Sequence, residues 1–266
     1  MDDILSRLAK GLASGLIEIV DLTHTLDADF PVMILPPEFG QCARFRIEEV
    51  SCYDERGPAW KWNNFSCGEH TGTHFDAPSH WVSGKDLPYG SVDTVPLGNL
   101  VAPACVIDCS AEAEQNEDYL MDVDKIREFE SAHGEIQRGS WVLMRTDWSQ
   151  KKGSEYINLR EDGAHSPGPN ADAVRFLVDE RDIIGLGTET VGTDAGQAFH
   201  ANPPYPAHFY LHGAGKCGLQ CLSGLDRLPA KGSIIFAAPL KIRNGTGSPL
   251  RVLALMNGSG NIPCGS

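Results

Sequence analysis

The sequence predicts a single α/β domain with a mixed sheet, on three observations. Short apolar runs typical of buried strands alternate along the 266 residues with segments that have the spacing of amphipathic helices. No repeat, low-complexity tract or linker divides the chain, so residues 1–266 are expected to form one domain. A hydrophobic fraction of 41% and a charged fraction of 22% are those of an ordinary globular protein.

The elements follow from the same patterns. The predicted strands are Leu16–Leu22, Ala104–Ile107, Trp141–Met144, Ile183–Leu186, Ile234–Ala237 and Arg251–Met256. Helices are predicted over residues 3–13, 116–132 and 170–180, the last of them after a Pro-Gly-Pro sequence that suits a helix start. Residues 24–66 and 190–206 show neither pattern, and loops of this length are usually functional.

Charge and cysteine usage narrow the class of protein. A net charge of −14 argues against nucleic acid and anionic membrane surfaces as partners. The start of the chain lacks a basic segment followed by an apolar one, so a cytoplasmic location is expected. None of the eight cysteines forms a C-x-x-C pair, and reduced thiols are the expectation in that compartment.

Four candidate metal ligands fall within eleven residues, at His70, His74, Asp76 and His80. In an extended chain His74 and Asp76 share a face about 7 Å apart, whereas His70 lies roughly 13 Å from His74. A single ion at about 2.1 Å from each ligand therefore requires a bend, which Gly72 can supply. The spacing predicts a bent strand edge folded around a cation.

The alternative is that these residues are ordinary packed side chains. Three imidazoles and a carboxylate buried without a cation would leave several polar groups unpaired, at about 1–3 kcal/mol each. We therefore interpret the segment as a metal site.

The segment from His70 to His80 resembles the H-x-G-T-H-x-D-x-P-x-H signature of the cyclase family of metal-dependent amide hydrolases, which includes kynurenine formamidases and isatin hydrolases. Further matches extend the resemblance over roughly residues 17–256. It implies a swivelling β/β/α fold with a barrel-like sheet. It also implies a homodimer or homotetramer in which a neighbouring subunit helps to line the pocket.

One departure from the formamidase pattern predicts the number of ions. In two-zinc formamidases a histidine is followed twelve residues later by a bridging glutamate, whereas here His208 is followed by Gln220. Two divalent ions beside the lone carboxylate of Asp76 would leave an excess charge in a partly buried site. We expect one ion, Mn²⁺ or alternatively Zn²⁺, held by His70, His74 and Asp76. Gln220 is then a weaker ligand or a residue that contacts the ligands. This pattern resembles the isatin hydrolases, manganese enzymes that open the lactam ring of isatin.

The resemblance leads to a hypothesis of cyclic amide hydrolysis by a water that the cation activates. His80 is expected to take the water proton and His208 to deliver a proton to the leaving nitrogen. His212 either orients the second carbonyl of the substrate or caps a helix. Ser223 either passes protons to solvent or is a turn serine.

Aromatic residues cluster beside the metal segment and predict a flat apolar slot for an aromatic substrate: Trp60, Trp62, Phe65 and Trp81. The alternative for each is a place in the core. Two other functions stay open. One is hydrolysis of another amide or lactone, such as N-formylkynurenine; the other is binding of a small aromatic ligand without turnover.

Overall fold

The structure, a computed structural model, describes residues 3–258. Its strands are β1 (Ile17–Asp21), β2 (Arg46–Cys52), β3 (Lys61–Ser66), β4 (His74–Asp76), β5 (Val101–Asp108), β6 (Leu120–Met121), β7 (Trp141–Arg145), β8 (Leu159–Arg160), β9 (Gly163–Ala164), β10 (Gly168–Pro169), β11 (Gly185–Thr188), β12 (Cys217–Gln220), β13 (Lys231–Phe236), β14 (Gly247–Pro249) and β15 (Leu253–Asn257). Its α-helices are α1 (Ile4–Ser14), α2 (Leu97–Leu100), α3 (Ser110–Gln115), α4 (Val123–His133), α5 (Ser154–Ile157), α6 (Ala171–Arg175) and α7 (Pro206–Gly213). None of the helices within residues 3–258 has the length and apolar character needed to span a membrane.

A nine-stranded sheet forms the frame, in the order β1-β15-β13-β5-β7-β11-β12-β4-β14. Its four central strands, β5, β7, β11 and β12, run parallel, and the strands on either side pair antiparallel. The sheet curls into a half-barrel. The predicted mixed α/β fold is confirmed.

Side chains alternate between two apolar layers along the central strands. On β7, Trp141 and Leu143 belong to one layer, whereas Val142 and Met144 belong to the other. Helices α4, α6 and α7 cover the second layer. The first fills the curled side of the sheet, where the ring centroids of Phe75 and Trp141 lie 6.1 Å apart. These near-continuous apolar strands are typical of a parallel sheet buried on both faces.

All six predicted strands are confirmed to within a few residues, but one helix is wrong at its start. The predicted helix over residues 116–132 begins only at Val123, after Leu120–Met121 pairs with β10. Asp122 sets this start, because its carboxylate accepts a hydrogen bond from the backbone N–H of Lys125 at 2.9 Å.

A hairpin of β2 and β3 lies within residues 24–66, which were predicted to be irregular. Its register places Ile47 opposite Phe65, and these side chains are 61% and 64% exposed. Because neither face of β3 is buried, the hairpin lacks the apolar alternation from which a strand is predicted.

Gly185 packs tightly against the neighbouring strand β12, and this contact predicts the effect of a larger side chain on stability. A Cβ at Gly185 would collide with the carbonyl of Cys217 and lie 2.5 Å from the Trp141 ring. We expect Gly185→Ala to lower the free energy of unfolding by about 1–3 kcal/mol or more, measured by chemical denaturation. Gly98→Ala is the matched control, because nothing lies within 4 Å of the added carbon. Equal stability of the two variants would contradict this packing.

Candidate active site

The histidine-aspartate segment is shaped by a bend and a short strand. Gly72 has a φ of +71°, so the predicted bend lies at the predicted residue. Beyond it β4 pairs with β12 on one side and β14 on the other. We expected this strand to lie at the edge of a sheet, and that expectation is wrong, because β4 is the second strand from the end of the sheet.

This backbone brings His70, His74 and Asp76 together. The Nδ1 of His70 lies 2.7 Å from Oδ1 of Asp76, and the Nε2 of His74 lies 3.4 Å from the same oxygen. One ligand atom from each residue fits within 4.8 Å of the others. Asp76 is fully buried.

The position of the proton on the His74 ring indicates that this arrangement suits a cation. Its Nδ1 donates to the carbonyl oxygen of Gly72 at 2.7 Å, so in the neutral ring Nε2 is an unprotonated acceptor facing the carboxylate of Asp76. Burial lowers the pKa of His74 in spite of the attraction of Asp76, so a proton is not the favoured occupant near neutral pH. Two imidazole nitrogens and a carboxylate oxygen form a donor set that fits a divalent ion.

The carboxylate of Asp76 stays ionised. Burial alone would raise its pKa, but the neighbouring imidazoles of His74, His80 and His70 lower the pKa well below the ordinary value. Asp76 therefore places a fixed negative charge among several imidazoles.

A second group of possible ligands shares the same carboxylate. Asp76, His80 and His208 also offer atoms that lie within 4.8 Å of one another. His80 ends a short 3₁₀ turn over Pro78–His80, and its ring stacks on His70 with centroids 3.9 Å apart. Within residues 3–258 its ring makes contacts with other rings but no hydrogen bond.

Asp194 lies in the irregular stretch before helix α7 and holds His208, a residue of that helix, in place. Its carboxylate accepts from the backbone N–H groups of Ala207 at 2.6 Å and His208 at 3.0 Å. It also lies 2.6 Å from Nδ1 of the His208 ring, which leaves Nε2 facing Asp76 at 3.9 Å. One carboxylate thus caps the helix and orients the imidazole.

The environments of His80 and His208 shift the pKa values of the two rings in opposite directions. Burial and the neighbouring imidazoles lower the pKa of His80 to about 3, so this ring is neutral at pH 7. Burial also works against a charged His208, but the hydrogen bond and charge of Asp194 outweigh it and raise the pKa of His208 above its ordinary value. His80 is therefore the neutral ring of the pair, and His208 is the ring that more readily carries a proton.

Gln220 contacts Asp76 through its amide nitrogen. The nitrogen donates to Oδ2 of Asp76 and lies 3.4 Å from Nε2 of His208. This orientation follows from chemistry, because an ionised carboxylate can only accept.

Trp81 and His212 complete the cluster. The Trp81 ring lies 4.7 Å from His208 and 5.6 Å from Tyr205, measured between centroids. Tyr205 and His208 line a cavity of about 520 Å³ whose other walls include Met33, Ile34 and Phe199. His212 is fully buried, its Nδ1 donates to the carbonyl of Lys216 at 3.1 Å, and its Nε2 has no partner within residues 3–258.

Four predicted site residues lie apart from this cluster. Trp60 and Trp62 are 49% and 56% exposed, the first just before β3 and the second within it. Phe65 stacks on Phe45 beside a different cavity, of about 740 Å³. Ser223 follows β12 and pairs through its backbone N–H with the carbonyl of Leu22. Among residues 3–258, none of these four side chains touches the clustered histidines through a ring contact or hydrogen bond.

Asp194 and Tyr205 belong to the site but were not predicted. Both lie within residues 190–206, where the length of the irregular stretch was the available signal. No spacing rule links Asp194 to a histidine fourteen residues later.

The chain is similar to known proteins over most of its length. The sequence model of a family described as cyclase matches residues 20–195. An isatin hydrolase from Roseibium aggregatum is 49% identical over 255 residues, which cover 95% of this chain and 97% of that protein. Isatin hydrolase A from Labrenzia aggregata, solved bound to benzyl benzoate, has a TM-score of 0.95 and 65% identity and covers 96% of this chain and 100% of its own. An isatin hydrolase bound to the product analogue thioisatinate has a TM-score of 0.93 and 48% identity, with 95% and 97% covered.

The contact between Asp194 and His208 gives a prediction on protonation. In Asp194→Asn the charge that opposes burial is lost, so the pKa of His208 should fall and the protonated fraction at neutral pH should decrease. An NMR titration of the imidazole C–H signals in metal-free protein measures this shift. The exposed Asp226→Asn is the control, and an unchanged His208 pKa in Asp194→Asn would contradict the assignment.

Proposed function

Since the chain belongs to the cyclase family, we propose that it is a metal-dependent hydrolase that opens the lactam ring of isatin to give isatinate. The observation that carries this proposal is the similarity to isatin hydrolases over nearly the full length of both chains. The neutral Gln220 beside the carboxylate of Asp76 supports the same choice within the family.

The proposed cofactor is one divalent ion, Mn²⁺ with Zn²⁺ as the alternative, held by His70, His74 and Asp76. Bound there, such an ion lowers the pKa of an adjacent water and polarises a carbonyl group. Gln220 was expected to be a weak ligand or a contact of the ligands, and its donated hydrogen bond to Asp76 supports the second role. The amide then holds the carboxylate without adding negative charge.

Two histidines carry the proposed proton transfers. His80, whose pKa lies at about 3, is neutral and takes the proton of the water that attacks the lactam carbonyl. The ring C–N bond then breaks, and the leaving nitrogen receives a proton from His208, whose raised pKa keeps it protonated to higher pH. The pairing of a neutral base and a charged acid is what such a hydrolysis requires.

We propose that the substrate ring lies against Trp81 near Tyr205, in the cavity beside His208. His212 has its Nδ1 proton committed to Lys216, and burial lowers its pKa to about 4. Its free Nε2 is therefore an acceptor, which suits the lactam N–H better than the second carbonyl expected from the sequence.

We propose that Trp60, Trp62 and Phe65 line a pocket only in a homodimer or homotetramer. Their exposed rings belong to a two-stranded hairpin, which is marginal in stability on its own. A neighbouring subunit that covers this hairpin would shield the rings and bring them to a pocket. Ser223 as a proton path to solvent stays a prediction.

The cytoplasmic location also stays a prediction. Its support is that the seven cysteines within residues 3–258 are all free thiols. Cys264 lies outside the described residues.

A second candidate is a two-ion formamidase acting on N-formylkynurenine. The observation that favours it is the second ligand group of Asp76, His80 and His208. Charge opposes it, because Asp76 would be the carboxylate ligand that both divalent ions share, and Gln220 adds no negative charge beside it. A protein that binds a small aromatic ligand without turnover is the third candidate.

The first test is turnover of isatin by the purified protein with Mn²⁺ and, separately, Zn²⁺, followed by the loss of visible absorbance. N-formylkynurenine is assayed in parallel. We expect isatin to be hydrolysed, and His74→Ala to abolish the activity because it removes a metal-binding nitrogen. His133→Ala, at an exposed helix position, is the matched control. Cleavage of the formamide alone would favour the second candidate, and no turnover of either would favour the third.

The second test counts the ions. We expect about one equivalent of metal per chain in the wild-type protein by elemental analysis. In Gln220→Glu, a second carboxylate would face Asp76, and the repulsion between them is relieved by a further cation, so a second equivalent should bind. Two equivalents in the wild-type protein would contradict the single-ion proposal.

A further inference from the structure

A hydroxyl group contacts His70 on the side of its ring that faces away from Asp76. The Oγ1 of Thr246 lies 3.0 Å from Nε2 of His70, and it lies 2.7 Å from Oε2 of Glu69. Glu69 also accepts from the backbone N–H of Thr246 at 3.1 Å. The three side chains thus form a chain of contacts from a carboxylate to the imidazole.

The number of protons available determines which group donates in each of these hydrogen bonds. An ionised carboxylate only accepts, so the single hydroxyl proton of Thr246 is donated to Glu69. The hydroxyl oxygen can then only accept, and the proton between it and His70 must belong to Nε2. In the neutral ring Nδ1 is therefore the unprotonated nitrogen, and this atom faces Oδ1 of Asp76 at 2.7 Å.

The ring is also confined on its faces. A Cβ at Gly247 would lie 2.8 Å from Nδ1 of His70, so the backbone of β14 packs directly against the imidazole. His80 stacks on the same ring with an interplanar angle of 30°. Backbone and ring contacts restrict the plane of His70, while Thr246 determines which of its nitrogens carries the proton.

We propose that Glu69 and Thr246 are positioning residues that select Nδ1 of His70 as the metal-binding atom and thereby set the affinity for the ion. The inference rests on the metal site of the proposed function but makes no use of the identity of the substrate. Partners of this kind raise the basicity of a ligand imidazole and fix its tautomer, and their loss typically lowers metal affinity roughly 10–100-fold. Glu69 and Thr246 lie outside the eleven-residue motif, on either side of the site in sequence.

The test measures metal affinity by competition with a chromophoric chelator, using Mn²⁺ and Zn²⁺. Thr246→Val keeps the shape of the side chain but cannot accept the Nε2 proton, so we expect roughly 10–100-fold weaker binding. Thr246→Ser should restore binding close to the wild-type level. Glu69→Gln should also weaken it, because the amide can donate to the hydroxyl and free that group to bond in the opposite direction. Thr25→Val, at an exposed position, is the matched control.

Thermal unfolding of the metal-free variants separates this role from a structural one. A merely structural Thr246 would lower the melting temperature of the metal-free protein while the affinity of the folded fraction stayed unchanged, and that result would overturn the proposal. Wild-type affinity in Thr246→Val, or a wild-type protein that binds neither ion, would also overturn it. Metal binding without isatin turnover would instead count against the proposed function and leave this inference standing on the affinities.

Discussion

The candidate site depends on one buried negative charge. Asp76 is fully buried, and its two oxygens face His70 and His74 on one side and His208 and Gln220 on the other. An isolated carboxylate in such a place would be very costly, so the surrounding imidazoles are as necessary to Asp76 as it is to them. The strands paired with β4 on both sides hold the backbone of Asp76 within the sheet.

The histidines around Asp76 are chemically identical, yet their surroundings give them different affinities for a proton. His74 and His80 lose their affinity for a proton mainly through burial. His208 is just as enclosed, yet it gains affinity because Asp194 lies against its other nitrogen. Placement of a second carboxylate, rather than the histidines themselves, determines which ring can act as the acid.

Much of the frame was predictable, because the six apolar runs in the central sheet are buried and buried strands have a distinct pattern. The metal segment was predictable because its ligands are close in sequence and Gly72 is the residue that permits the bend. The β2–β3 hairpin was missed because its exposed strands carry no such pattern. Asp194 and Tyr205 were missed because their approach to the site depends on how a long loop folds onto helix α7. Trp60 and Trp62 neighbour the motif in sequence, but within one chain the hairpin directs them to the surface.

The distance along the chain between the two halves of the site has a consequence for the protein during its synthesis. His70 is made 176 residues before Thr246, and β4 has no partner strand until β12 and β14 have been made. A nascent chain that has emerged only through residue 200 therefore carries the complete motif from His70 to His80 with nothing to pair its strand or orient its first imidazole. Because domains fold as units when their last contacts become available, the capacity to hold an ion tightly arises only after β14 has been made.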